Sequence, residues 1–170
     1  MLIYSIRILI KSIKNKQLAE FNLDSESKII ELNSNGLYSL CFLGAGFIDN
    51  QGKFNAELKS ENGNLVQLNK TFPNYRFRQN GELGLEYWNF QIDEIGKYIL
   101  TFKNLTDLIA KKSMLSSKRL FQKNIKSDSL KILLKETMPT KNRFFSIIGL
   151  VIGINAVIWG ILIGLTNAFG

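Results

Sequence analysis

Residues 53–70 read KFNAELKSENGNLVQLNK, and two features in this stretch set the fold class. Phe54, Ala56 and Leu58 alternate with Lys53, Asn55, Glu57 and Lys59, the period of two that places apolar side chains on one face of a strand and polar ones on the other. Asn62-Gly63 then supplies the dipeptide suited to a type I′ hairpin turn, whose two central residues both need φ > 0. The chain returns through residues 64–69, so an antiparallel hairpin with one buried face is expected.

The same signals recur on either side. Asn80-Gly81 separates YRFR (75–78) from ELGLEYWNFQID (82–93). In the second run Leu83, Leu85 and Tyr87 keep one parity while Trp88, Phe90 and Ile92 keep the other, which predicts a bulge or corner near Tyr87. Shared parity with Ile92 assigns Trp88 and Phe90 to the core rather than to a ligand groove with Arg76 and Arg78. Further strands are expected over AEFNLD (19–24), KIIELN (28–33), GLYSLCFLG (36–44), KYILTFK (97–103) and SLKILLKE (129–136). Residues 104–126 lack alternation and are expected to hold a short helix around Leu105, Leu108 and Ile109. With no internal repeat and only Pro73 and Pro139 as prolines, residues 19–136 read as one antiparallel β-sandwich of eight or nine strands, jelly-roll or immunoglobulin-like in type.

A short basic linker, residues 137–143, leads into a segment of another kind. From Phe144 to Leu165 there are 22 residues without a charge, and only Ser146 and Asn155 are clearly polar. As a helix the run is about 33 Å long, enough to cross a hydrocarbon core of about 30 Å. A buried core helix of that length would show a polar face and would need more protein around it than this chain supplies. The reading is therefore a transmembrane helix, with the tail TNAFG (166–170) beyond it and a tail-anchored topology. Within the helix Gly149, Gly153, Ala156, Gly160 and Gly164 fall on one side of a helical wheel, a face on which another helix can pack closely. Asn155, on a different face near the bilayer middle, is expected to seek an interhelical partner.

Charge is unevenly distributed. All 22 Lys and Arg residues precede Phe144, which by the positive-inside rule makes the bulk of the chain cytoplasmic. Residues 1–18 carry a net +4, residues 19–103 a net −3 and residues 104–143 a net +7. Nucleic-acid binding would place the positive charge on the folded surface itself, among aromatic residues. The basic ends instead point to anionic lipid headgroups, with Arg7, Lys11, Lys14, Lys141 and Arg143 as contacts. On a helical projection Leu2, Ile6, Leu9, Ile10 and Ile13 share a face opposite Arg7, Lys11 and Lys14, the pattern of an interfacial amphipathic helix. A helix packed on a neighbour and a β-strand are the alternatives for this segment. It does not read as a signal peptide, because Arg7 interrupts its apolar run and no small-x-small cleavage site follows.

The chain has no histidine and one cysteine, Cys41. That removes His-dependent nucleophile activation, imidazole-bound zinc and any thiolate metal cage. The glycines at Gly44 and Gly46 lack the lysine and helix of a phosphate loop. Asp93 and Glu94, adjacent and before Gly96, read as a turn rather than an acid–base pair. No cofactor or metal is expected. The functional expectation is a non-enzymatic, tail-anchored binding or assembly subunit whose transmembrane helix self-associates or binds another membrane protein. Alternatives are a membrane-perturbing effector with a sensing β domain and an extracytoplasmic glycan-binding module.

Overall fold

The computed structural model describes residues 2–13, 15–24, 26–50 and 53–166. Lys14 and residues 167–170, most of the expected tail, lie outside the described residues. The chain divides into two units, residues 16–137 and a helical unit made of residues 1–15 and 138–170.

The first unit is mostly β and entirely antiparallel. Its strands are β1 (Gln17–Asn22), β2 (Lys28–Leu32), β3 (Gly36–Leu43), β4 (Phe47–Asn50), β5 (Asn55–Ser60), β6 (Leu65–Val66), β7 (Asn69–Lys70), β8 (Arg76–Gln79), β9 (Glu82–Ile92), β10 (Gly96–Lys103), β11 (Leu108–Lys111) and β12 (Lys131–Glu136). One sheet runs β1-β12-β3-β9, with β7 and β8 both paired to β9; a second runs β2-β10-β5-β6; β4 and β11 form a separate pair. Alternation dictates the core. Leu40, Phe42, Trp88, Phe90, Ile132 and Leu134 of the first sheet and Ile30, Leu32, Leu58, Tyr98, Leu100 and Phe102 of the second bury their side chains in one cluster. Phe54 joins the sheets, its ring centroid 5.6 Å from Trp88 and 6.4 Å from Phe102.

Twelve strands are present among the described residues, more than the eight or nine expected, because short ones escape a periodicity reading. The run 64–69 splits into pieces of two residues, β6 and β7. Residues 108–111, expected in a helix, form β11, which pairs with Phe47–Asn50; only Leu105–Asp107 makes a helical turn, of 3-10 type. The two Asn-Gly turns also differ. Asn80 and Gly81 have φ of 49° and 84°, as a type I′ turn requires. At Asn62-Gly63 only Gly63 is positive, at 83°, and its N–H donates to the Ser60 carbonyl at 2.8 Å. That is a three-residue connection with glycine in the left-handed position.

The expected bulge is present. Leu40 pairs with Trp88 and Cys41 with Glu86, so Tyr87 is the extra residue of β9. The shift lets Leu85, Tyr87 and Trp88 all contribute to the same core. Burial, with the Asp49 carboxylate as the smaller cause, pushes the Tyr87 phenol above its ordinary pKa.

The outer face of the first sheet is covered as well. Gly84 has no side chain, and the Phe77 ring of β8 lies where one would be, 2.5 Å from an ideal Cβ position. Under this cover sit Cys41, Leu43 and Leu133 and an ion pair, Lys135 Nζ to Glu86 Oε1 at 2.9 Å, with side chains 7% and 1% exposed. The Lys135 ammonium also lies 3.7 Å from the Phe77 ring centroid. Burial on both faces explains why Leu133 and Lys135, polar-side positions by alternation, are inaccessible in β12. Removing one partner of such a pair strands a charge in low dielectric. Glu86→Ala is therefore expected to lower unfolding stability by about 3–5 kcal/mol, and Glu86→Leu with Lys135→Met to restore most of it. Denaturant unfolding of the full-length protein in detergent measures both; a single mutant within about 1 kcal/mol of wild type would refute this role for the pair.

Candidate functional site

The helical unit holds the residues singled out for membrane and helix contacts. Its elements are α1 (Leu2–Ile13) and α3 (Thr140–Thr166); the intervening short helix α2 (Ser116–Arg119) belongs to the β unit. Pro139 precedes the first turn of α3, where a missing N–H costs nothing, and its carbonyl accepts from Asn142 N–H at 2.9 Å. The 27 residues of α3 give a length of about 40 Å. It is long and apolar enough to cross a membrane, and only 6% of its most apolar window is buried.

Its polar side chains turn back on their own helix. Ser146 Oγ donates to the Asn142 carbonyl at 2.6 Å, Asn155 Nδ2 to the Val151 carbonyl at 2.8 Å and Thr166 Oγ1 to the Leu162 carbonyl at 2.7 Å. Each bond satisfies a donor without water, as an apolar surrounding demands. The Asn155 amide thus has a partner within α3 rather than on a second helix.

Helix α1 contains five isoleucines, a composition equally suited to a strand. Packing against α3 selects the helix, since tertiary contact outweighs so small a propensity difference. Leu2 reaches Gly153: an ideal Cβ there would sit 2.8 Å from Leu2 Cδ1 and 3.1 Å from Leu2 Cβ. Nearer the start of α3, Tyr4, Ser5, Ile8, Asn142, Phe145 and Ser146 line a cavity of about 280 Å³. Leu2 therefore lies at the level of Gly153 and Ile8 near residues 142–146, so the helices run antiparallel. Small residues allow the approach. Ser5 is 3% and Ser146 4% exposed, and Gly149 is buried.

The glycine face is divided by this contact. Gly149 and Gly153 lie on the side that α1 covers, whereas Ala156 is exposed and Cβ positions at Gly160 and Gly164 meet nothing within 4 Å. The side of α1 that packs on α3 overlaps the expected apolar face only in part. Leu2, Ser5, Ile8 and Leu9 face inward, while Ile6 and Ile10 are 39% and 48% exposed. The available signal was Ser5, a small residue one turn from Leu2, complementary to the small residues of α3. Arg7, Lys11 and Lys141 are exposed, but Arg143 is 5% exposed, a burial not expected of a headgroup contact.

Compared with protein-family models, with curated proteins and with solved structures, the chain matches none.

The Leu2–Gly153 contact is close to disulfide geometry, which needs Cβ atoms about 3.5–4.5 Å apart. Leu2→Cys with Gly153→Cys is expected to crosslink within one chain upon mild oxidation in membranes, read as a monomer whose amino-terminal and carboxy-terminal peptides stay joined after proteolysis. Crosslinking only between chains, or none, would contradict the packing of α1 on α3.

Proposed function

We propose that this protein is a non-enzymatic membrane-anchored binding or assembly subunit. In this reading α3 spans the bilayer, α1 dips beside the first half of the span, and residues 16–137 form a β-sandwich. The observation that carries it is the uncovered apolar length of α3, together with a second helix already seated on its glycine face. The charge pattern supports a cytoplasmic β domain, since every Lys and Arg of the sequence precedes Phe144. Antiparallel packing brings Arg7 and Lys11 level with the first turns of α3, near Lys141. There they meet anionic headgroups while Ile3 and Ile6 face acyl chains. Lying along α3 replaces the in-plane surface helix expected from sequence.

The open stretch at Ala156, Gly160 and Gly164 continues beyond the end of α1 and offers a close-packing surface to a second copy or another membrane protein. Gly160→Ile with Gly164→Ile keeps the segment apolar, so insertion survives, and loss of self-association or of a copurifying partner is expected in a crosslinking assay. Unchanged association removes the assembly role from this surface. Protease added to intact cells is expected to spare the turn at residues 60–64, and cleavage there would reverse the assigned side.

A further inference from the structure

Within the β unit, one segment combines protruding apolar side chains with uninterrupted positive charge. Between Asp107 and Asp128 lie five lysines and one arginine, and no acid. Phe121 is 90% exposed and Leu120 81%, with Leu115 at 59% and Met114 at 45%. Single exposed apolar residues are ordinary; four within residues 114–121 make a patch.

The patch is not exposed for want of structure. Gly46 N–H donates to the Lys111 carbonyl at 3.0 Å and Ile125 N–H to the Ala110 carbonyl at 2.8 Å. Only glycine fits at position 46, because a Cβ would lie 2.4 Å from the Lys112 carbonyl oxygen. Ser113 N–H donates to Gln122 Oε1 at 2.9 Å, and Lys111 Nζ to the Arg119 carbonyl at 2.6 Å. The Arg119 guanidinium stacks 3.7 Å above the Phe47 ring centroid. A braced loop holds Leu120 and Phe121 outward, with Lys112, Lys118 and Lys123 exposed around them.

We propose that residues 112–123 form a membrane-docking loop: Leu120 and Phe121 insert among the headgroups of an anionic leaflet, and Lys112, Lys118 and Lys123 pair with lipid phosphates. The chemistry favours a bilayer over a protein or nucleic acid. Protein interfaces are depleted of lysine and favour arginine, the reverse of the composition here. Single-stranded nucleic acid requires a series of stacking rings, and Phe121 is the one aromatic residue between Asp107 and Asp128. Lysines around an apolar tip suit a laterally uniform surface of phosphates over acyl chains. Strand β12 ends at Glu136 and α3 begins at Thr140, so three residues connect the sheet to the helix.

This inference rests on α3 crossing a bilayer, and the test separates the two. Full-length protein carrying Phe121→Cys, labelled with an environment-sensitive nitrobenzoxadiazole dye, is reconstituted into vesicles of phosphatidylcholine alone or mixed with phosphatidylglycerol. Cys41 is buried and does not compete for the dye. In anionic vesicles the emission is expected to shift to the blue, brighten several-fold and be quenched by a lipid with a shallow nitroxide. Lys112→Gln, Lys118→Gln and Lys123→Gln together, or high salt, should reverse most of the change. Failure of the protein to float with vesicles would bring down the spanning helix and the loop with it. Flotation with a dye that stays water-like and unquenched would overturn the docking loop alone, leaving a soluble partner as its occupant.

Discussion

The apolar surface of α3 is the constraint from which the rest follows. Fourteen of its large apolar side chains are exposed, and burying each is worth about 1.5–3 kcal/mol. Their sum exceeds the roughly 5–15 kcal/mol that holds a folded domain together, a strong drive to cover this surface. The two helices respond alike. Backbone groups are paired along the helix, Ser146, Asn155 and Thr166 bond back to carbonyls four residues earlier, and α1 meets α3 through small residues. Dispersion between close backbones, not exclusion of water, drives such packing in lipid.

The β unit is stabilised by other means. Its inner core joins two sheets through an aromatic cluster around Phe42, Phe54, Tyr87 and Trp88, and its outer face is closed by Phe77 over Gly84 and over the Lys135–Glu86 pair. Both faces of β12 and of the middle of β3 are thereby out of water. Residues 112–123 hold four exposed apolar side chains and three exposed lysines close together, on a segment fixed by Gly46 and Arg119.

Much of this was legible in the sequence, for physical reasons. Period-two alternation marked β5 and β12 because each has one face in the core, and the change of parity at Tyr87 in β9 marked a bulge that the register confirms. The apolar run from Phe144 was legible as a helix because its length exceeds that of any ordinary strand. What escaped was set by partners distant in sequence. Residues 108–111 form a strand only because Phe47–Asn50 lies beside them. Leu133 and Lys135 are buried by a hairpin some fifty residues away in sequence. The glycine face was visible, but a periodicity reading could not show that Leu2 of the same chain occupies Gly153. Nor could it distinguish the inward side of α1, since Leu2, Ile8 and Leu9 there and Ile3, Ile6 and Ile10 outside are alike apolar.

The central claim is that α1 enters the bilayer beside α3 rather than lying on its surface. The depth of Tyr4, 70% exposed on the outer side of α1, tests it directly. A spin label at Tyr4→Cys in full-length protein reconstituted into vesicles should collide readily with dissolved oxygen and rarely with a water-soluble nickel chelate, whereas a label at Lys11→Cys should show the opposite bias. Equal access of the chelate to both positions would place α1 flat in the interface or in water and would contradict the account.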